Sequence, residues 1–568
     1  MLLLNSLPLN FIFLIINGQT PIPFQNCGGS LPAVVTGVTV KQSFENGHAH
    51  ITFRAIGSTS ISIAGGTGTT AATVFGLNVY KDQSDLCSYL GACPQNVGSV
   101  TATKIISIDK LNNVWGVDIN GRMEWRDQNT NLIGCVTANF AIMQAGGMDA
   151  VASGIIYALT IGITVLAGIA SYITYSASSH GSTIAPHASP SPSAIELILF
   201  FQSLAQTGYL NLNYPDTFQQ IVAKFGWSNF MPNIGFLKNA AQSIRSLISP
   251  ATNMSVTSTT GFSGYAQIIG LNPHDLFLYV VVVLLFVIVV WTIVAFLFSI
   301  VLIITAGLAS RYSPWLYHRL ANRASPTSLL SIYFGNVLRI FYLSYFALVA
   351  TSVFQFTLTG DNWLLYVLAG IILLGFCIGL CAFLSVDLLR YRQVPELLYT
   401  EKTNYLTFGV LYNHYRERAY AFFIIFLIYR LLTGIVIGAS PSAIVQLCLL
   451  FVTELSYLFL LAIKQPMKSP KAQILNYSAS FIRLVAVGLI AVFLPNLGIS
   501  LESRAIIGYV ILALHVIAML LNMWVVIVNV LDASKLKKEM KLASADSRGS
   551  WDHVDGSEDP YHTPPRTL

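Results

Sequence analysis

The stretch FLYVVVVLLFVIVVWTIVAFLFSIVLIITAGLAS, residues 277–310, carries no charge before Arg311. At a rise of about 1.5 Å per residue it is longer than a hydrocarbon core of roughly 30 Å requires, so it spans with tilt or projection. Further apolar segments lie at 334–357, 363–387, 419–439, 442–463, 479–496 and 505–530. Backbone groups in lipid must bond internally, and these runs are too long and continuous for barrel strands. The fold class is therefore a polytopic α-helical membrane protein, with residues 277–531 as a seven-span core. Composition agrees: 54% of the 568 residues are hydrophobic and only 10% charged, against about 25% charged in soluble domains. The net charge of +6 sits at the ends of spans, so it reads as a topology signal and not as a nucleic-acid surface.

Working outward, residues 1–20 pair a short apolar stretch with small and polar residues, as a secretory signal peptide does; a short N-terminal anchor is the alternative. Residues 21–146 change character. The β-rich runs AVVTGVTV (33–40), AHITFRAI (49–56), TSISIA (59–64), ATVFGLNVY (72–80) and SVTATKIISI (99–108) are separated by Gly, Asn, Asp and Ser, which predicts an extracytoplasmic β-sandwich. Four of the seven cysteines, Cys27, Cys87, Cys93 and Cys135, fall here and imply two disulfides in an oxidising compartment. Their spacing allows three pairings. The favoured one closes the short loop Cys87–Cys93 and ties the first strand to the last through Cys27–Cys135. Cys377, Cys381 and Cys448 lie in apolar spans as packing residues.

Residues 147–276 are expected to hold two spans and a lumenal loop. The first span, 151–175, repeats Gly154, Ala158 and Gly162, a small-residue stripe that lets another helix approach. The stretch 179–193, with His180 and His187, reads as a solvated linker. Residues 194–214 are ambiguous by hydropathy, between a span and an interfacial helix. The sequon at Asn253 asks for an outside location after them, which makes 194–214 the second of nine spans. The sequon at Asn476 falls on the predicted inner side and is read as chance. Predicted inner segments carry Arg311, Arg319 and Arg323; then Arg390, Arg392, Lys402, Arg416 and Arg418; then Lys464, Lys468 and Lys471; then Lys535, Lys537, Lys538 and Lys541. Predicted outer connections beyond residue 357 hold only Asp361, Glu502 and Arg504. This bias places the N-terminal domain outside or in a lumen and the C-terminus inside. The tail 532–568 has the composition of a disordered cytoplasmic segment.

No catalytic or metal constellation is present: there is no GxSxG, no HExxH, no paired CxxC and no Gly-Lys phosphate loop. Gly65-Gly66-Thr67-Gly68 lies between β runs and reads as a turn. Charges inside spans carry more information, because each costs a few kcal/mol unless paired. Arg430 and Glu454 lie roughly 15 and 21 Å from the tight turn at Ser440-Pro441 and are within reach of each other, as a structural ion pair or as part of an ion or substrate path. Arg339 and Arg483 sit near span ends, where they snorkel. Gly375-x-x-x-Gly379 suggests helix packing. The segment 403–423 sets Tyr405, Tyr412, Tyr415 and Tyr420 among Arg416, Glu417 and Arg418, the composition of an inner interfacial anchor.

YLTFGVLYNHYRERAYAFF (405–423) resembles the inner loop of the fungal TRP-like family, which includes flavin-carrier and polycystin-like proteins. FQSLAQTGYLNLNYP (201–215) with KFGWSNF (224–230) resembles the pattern that follows the first spans in that family, and LIGCVTANF (132–140) resembles the last strand of its ML lipid-recognition domain. The resemblance covers residues 20–530. It implies an immunoglobulin-like sandwich with an apolar pocket, whose usual disulfide pattern coincides with the favoured pairing. It also implies roles in calcium homeostasis, cell-wall maintenance or FAD transport. One departure stands out: only Asn496 to Arg504 separates the last two spans, too few residues for a re-entrant filter helix.

The expected function is a TRP-like cation channel, or a channel-related protein, with a lipid-sensing domain coupled through the first span. It is not expected to be an enzyme and needs no cofactor. A transporter of FAD or lipid in the endoplasmic reticulum or plasma membrane is one alternative, and a non-transporting scaffold another. Expected partners are membrane lipid and the transported ions or FAD, with a homo-oligomer left open.

Overall fold

The computed structural model describes residues 20–21, 24–27, 31–45, 48–74, 77–108, 117–142, 148–178, 193–248, 260–312, 325–439 and 442–551. The predicted signal peptide, His180, His187, Asn253, Arg319, Arg323, Ser440, Pro441 and the tail beyond 551 lie outside the described residues. The chain divides into two compact units. One holds the N-terminal region with Asn213–Ile221 and Val492–Val510; the other holds Ile156–Leu212, Val222–Ala491 and the chain from Ile511.

In the first unit, nine strands form two antiparallel sheets. β1 (Thr20–Pro21), β2 (Phe24–Asn26), β3 (Ala33–Glu45), β4 (His48–Thr59), β5 (Thr67–Val74) and β6 (Leu77–Asp85) precede the short helix α1 (Leu86–Leu90). β7 (Gly98–Ile108), β8 (Val117–Arg126) and β9 (Leu132–Ile142) complete the set. The sheets run β1-β3-β4-β7 and β2-β9-β8-β5-β6. Alternate residues turn inward, as a period of two requires. Phe53 and Ile51 of one sheet meet Phe140, Met123 and Trp125 of the other in a single buried core. β2 has only three residues, and Cys27–Cys135 staples it to its neighbour β9, while Cys87–Cys93 closes the loop after α1. Two strand expectations change. TSISIA is no strand but a single bridge from Ile63 to Gln95. The run 72–80 is two strands, with Val74 opposite Leu77. Gly66 opens the second sheet at φ 145°, and a Cβ there would lie 1.9 Å from the Arg126 carbonyl oxygen, so the glycine run is a turn forced by close approach.

The helices are α2 (Met148–Ser178), α3 (Ala194–Gln206), α4 (Asp216–Ala223), α5 (Gly235–Ile248), α6 (Gly261–Ile268), α7 (Leu276–Tyr312) and α8 (Pro326–Thr357). α9 (Trp363–Gly370) runs through a π-helix, Ile371–Leu380, into α10 (Cys381–Leu389). Then come α11 (Glu396–Thr400), α12 (Lys402–Tyr412), α13 (Phe422–Ala439), α14 (Ala443–Lys464), α15 (Pro470–Ile490) and α16 (Leu501–Trp551). Among the described residues eight helices are long and apolar enough to cross a membrane: α2, α7, α8, the α9–α10 rod, α13, α14, α15 and α16. Their outward faces are apolar; Leu285, Phe296, Leu374, Phe383 and Trp524 are exposed, as a hydrocarbon solvent permits.

The expected ninth span, 194–214, is instead the 13-residue helix α3, which ends at Gln206 and continues as turns. At about 20 Å it is shorter than the hydrocarbon core. Its start is fixed by a capping box: Ser193 Oγ accepts from Glu196 N–H, and Glu196 accepts from Ser193 N–H at 2.7 Å. Glu196 is thereby a cap residue. Asn476 also donates to it, at 3.4 Å.

The small-residue contacts fall elsewhere than expected. A Cβ at Gly154, Gly162 or Gly375 would meet nothing within 4 Å, and at Gly379 only its own helix. The close approach is made by Gly434 and Gly438 of α13, where a Cβ would lie 2.7 Å from Val349 and 2.4 Å from the Ala350 carbonyl oxygen of α8. Gly438→Val puts two methyl groups into that contact. It is expected to destabilise the helical unit by several kcal/mol, beyond the roughly 1–3 kcal/mol of ordinary overpacking, because backbone has to move. Gly375→Val is expected to be nearly neutral. Thermal unfolding of the detergent-purified variants checks both.

Candidate functional site

In the helical unit Arg430, Glu454 and Arg483 form one polar layer. Glu454 of α14 is 5% exposed and accepts from Tyr429 Oη at 2.5 Å and from Arg483 Nε at 3.1 Å. Arg483 of α15 also donates to Ser480 Oγ at 2.9 Å, and its guanidinium lies 5.7 Å from the Tyr429 ring centroid. Three helices thus converge on one carboxylate. The expected Arg430–Glu454 pair does not form. Arg430, 4% exposed, donates to Gln202 Oε1 and rests 5.1 Å from the Phe346 ring centroid. Gln202 in turn donates to the Ser228 and Leu343 carbonyl oxygens, both at 2.7 Å. Residues 429 and 430 are neighbours on α13 but face different partners, which is why distance from the turn was a poor guide. Arg483 does not snorkel; the carboxylate captures it. Arg339 donates to Asn336 Oδ1 at 2.8 Å, one turn back on α8.

Two positive guanidiniums against one carboxylate leave this layer with a net charge of +1. A buried guanidinium held by a neutral amide is only partly compensated. The layer can lock α13, α14 and α15 together, and it can attract an anion. A free cation entering it would be repelled.

The aromatic segment of 403–423 is not a headgroup anchor throughout. Tyr412 and Tyr415 are buried within the protein, Tyr405 is half-buried, and Arg416 and Arg418 are exposed. Tyr399 Oη donates to the Tyr412 and Tyr415 carbonyl oxygens at 3.2 and 3.1 Å, and Tyr412 Oη donates to the Leu398 carbonyl oxygen at 2.5 Å. Arg416 Nε donates to the Met467 carbonyl oxygen at 2.9 Å. The tyrosines find backbone acceptors, as buried phenols must, so this is a packed knot.

The π-helix forms one wall of a small apolar cleft, lined among others by Phe341, Tyr345, Phe376, Cys377 and Cys381. Tyr345 Oη donates to the Cys377 carbonyl oxygen at 3.1 Å. Cys377 is buried and Cys381 half-buried, while Cys448 is exposed and does not pack as expected. Elsewhere in this unit Asp361 accepts from Arg245 at 2.7 Å, from His274 at 3.0 Å and from Gln355 at 2.7 Å. Burial alone would push its carboxyl up; these donors and the Arg245 charge outweigh that and hold it below the usual range.

The sandwich unit has a site that the sequence did not disclose. Asp118 of β8 is 8% exposed; its carboxylate accepts from Thr217 N–H at 3.1 Å and from Tyr509 Oη at 3.2 Å. Its own N–H donates to Tyr509 Oη at 3.0 Å. Asp216 accepts from Ala141 N–H of β9 at 2.8 Å. The sheet of β8 and β9 is thus latched to α4 and to the first turns of α16. The expected coupling runs through the first span, whose Gly154 and Gly162 would present a Cβ to no described atom within 4 Å. Burial pushes the Asp118 carboxyl up to about 6 from an ordinary 3.8, against the hydrogen bonds that lower it. Burial also raises the Asp216 carboxyl.

A two-sheet domain followed by eight candidate spans defines a polytopic membrane protein. Residues 156–546 match the family model described as "Transient receptor potential (TRP) ion channel", and the chain belongs to that family. It is 24% identical over 383 residues to an uncharacterized membrane protein of Schizosaccharomyces pombe, covering 64% of this chain and 42% of that one. It is 30% identical over 191 residues to the TRP-like ion channel protein flc1 of Cryptococcus neoformans, covering 32% of this chain and 24% of that one. The chain therefore spans less than half the length of these curated relatives.

Glu454→Gln leaves Arg483 buried without its counter-charge and is expected to cost about 3–5 kcal/mol. The double variant Glu454→Gln/Arg483→Gln is expected to recover more than half of that loss, read from a double-mutant cycle in thermal unfolding. For Asp118 the folded state binds its proton more tightly than the unfolded state. Stability therefore falls as pH rises from about 4 to about 6 and is flat above, by roughly 3 kcal/mol at most. Asp118→Asn is expected to flatten that slope, leaving the share of Asp216, in unfolding followed across pH.

Proposed function

We propose that this chain is a calcium-permeable, TRP-like channel whose N-terminal sandwich senses membrane lipid and reports it to the last candidate span. The observation that carries this reading is the latch between Asp118 of β8 and Tyr509 of α16. A rearrangement of the sandwich strains these bonds and so acts directly on α16. Family membership supports conduction of ions; calcium and lipid are this reading's own additions. The apolar cleft beside the π-helix offers a hydrocarbon chain a second point of contact, since π-helical turns gather at functional sites. The two disulfides support an oxidising compartment for the sandwich, hence a membrane of the secretory pathway with this domain outside the cytoplasm.

The connection between α15 and α16 is two short 3₁₀ turns, Ala491–Phe493 and Pro495–Leu497, which leaves no room for a filter helix there. In this reading ions pass between helices of the bundle. A second reading rests on the charge layer: Arg430 and Arg483 outnumber Glu454, which suits an anionic cargo such as FAD. Transport would then require Arg430 in particular, because it has no carboxylate partner.

Calcium flux and FAD uptake measured side by side in liposomes holding the full chain decide between them. Calcium flux is expected, with Tyr509→Phe changing its dependence on lipid composition by about fivefold or more. FAD uptake without calcium flux, lost in Arg430→Gln, would replace this reading with the transporter. No transport of either would leave a scaffold.

A further inference from the structure

α16 opens with two differently used faces. At about 100° per residue, Glu502, Ala505 and Tyr509 share one face, and with Asp118 they line a small cleft against the sandwich strands. Leu501, Arg504 and Gly508 share the next face. There a Cβ on Gly508 would lie 3.3 Å from Phe218 and 3.5 Å from Pro215, so this face packs on the segment 213–221. Arg504 projects from it and is 2% exposed, one of the largest fully buried side chains in the protein.

Nothing among the described residues answers that charge. Arg504 Nε and Nη2 are both buried without a hydrogen-bond partner, and no described carboxylate lies within salt-bridge distance. The segment packed on this face carries another buried donor without a partner, Gln219 Nε2. The other described arginine buried below one-tenth exposure, Arg430, has Gln202 as a partner. A buried, unpaired guanidinium is strongly destabilising. Thr217 Oγ1 on that segment is likewise buried without a partner, and the two guanidinium donors call for a ligand that accepts hydrogen bonds and carries negative charge.

We propose that Arg504, on the first turn of α16, is the anchor of an oxyanion site that binds a phosphate group. The free Nε and Nη2 form one edge of the guanidinium fork, which matches two oxygens of a phosphate in parallel bonds. The amides of the first turn of α16 favour the same charge, although Ser500 Oγ already accepts from Ser503 N–H. The position fits a membrane source: α16 carries no Asp, Glu, Lys or Arg between Arg504 and Asp532, so Arg504 stands where a span begins, at headgroup level. A phospholipid headgroup and free inorganic phosphate share this chemistry. The site lies apart from the polar layer of Glu454 and does not depend on which species the protein transports.

The test uses the full chain, purified and stripped of lipid in a phosphate-free detergent solution. Thermal unfolding is followed against inorganic phosphate, dihexanoyl phosphatidic acid and dihexanoylglycerol, which shares the acyl chains but lacks the phosphate. Phosphatidic acid is expected to raise the unfolding midpoint and dihexanoylglycerol to leave it unchanged. Arg504→Gln is expected to weaken the half-saturating concentration by about tenfold or more, and Arg504→Lys, which keeps the charge but loses the fork, by an intermediate factor. An equal response to inorganic phosphate assigns the site to a free anion; a response to the lipid alone assigns it to a headgroup. No response of the unsubstituted protein overturns the proposal even if the glutamine variant does not fold. So does an Arg504→Met protein that is more stable than the parent at every ligand concentration, because that is the behaviour of an empty, unpaired charge.

Discussion

An ionised carboxylate inside a membrane bundle has to be met by hydrogen bonds or by an opposite charge, and the packing around Glu454 follows from that requirement. Tyr429 and Arg483 approach it from two other helices, so the positions of α13, α14 and α15 are fixed by one side chain. Glu454, claimed by Arg483, is unavailable to Arg430, which turns to Gln202. Gln202 then has to satisfy its own amide, and it does so on the Ser228 and Leu343 carbonyl oxygens. One buried charge thus organises contacts from α3 to α15. Such a network gives conformational specificity more readily than net stability, because the desolvation of its charges offsets much of their attraction.

The sandwich unit obeys the opposite logic. Its core is apolar, with Phe53, Phe140 and Trp125 filling the space between sheets, and one group of polar contacts lies where α4 and α16 join it. Asp118 holds two elements far apart in the chain, through Thr217 and Tyr509. Because its carboxyl is pushed up to about 6 by burial, the charge on the latch changes in mildly acidic solution. Ionisation strengthens the bonds donated by Thr217 and Tyr509, but the desolvation of the charged carboxylate outweighs them, so the fold as a whole loses stability.

Much of this was legible in the sequence wherever a single physical preference dominates. Charge-free runs such as 277–310 have no soluble alternative, and the alternation in β3, β4 and β7 is the direct signature of a half-buried strand. The four clustered cysteines announced two disulfides. What failed did so for identifiable reasons. The strand β8 reads as polar, VDINGRMEWR, and its inward residues Ile119, Met123 and Trp125 are too sparse to mark it. Arg430 and Glu454 were matched by depth along their helices, yet depth says nothing of rotation, and Arg483 lies on the face that Glu454 presents. Gly154 and Gly375 have the spacing of packing glycines, as do Gly434 and Gly438, and only the latter pair meets a neighbouring backbone. Spacing licenses close approach without supplying the partner. The latch and the buried Arg504 depend on contacts between segments hundreds of residues apart, which no local pattern encodes.

The sign of the polar layer constrains any mechanism of conduction. Two guanidiniums and one carboxylate repel a cation at close range, and low dielectric strengthens that repulsion. If calcium is the permeant ion, its path has to avoid this layer, and Glu454 then serves to lock helices and not to select ions. Selection would fall to backbone carbonyls, hydroxyls or carboxylates elsewhere, since the connection from α15 to α16 has no room for a filter. The π-helix at Ile371–Leu380 is the better candidate for a moving part. Such i→i+5 turns gather at functional sites, its outward face carries Leu374 and Ile378 exposed, and its inner face borders an apolar cleft. A hydrocarbon chain entering that cleft would favour one winding of the rod over the other. The rod would then convert lipid occupancy into helix geometry without moving a charge through the bilayer.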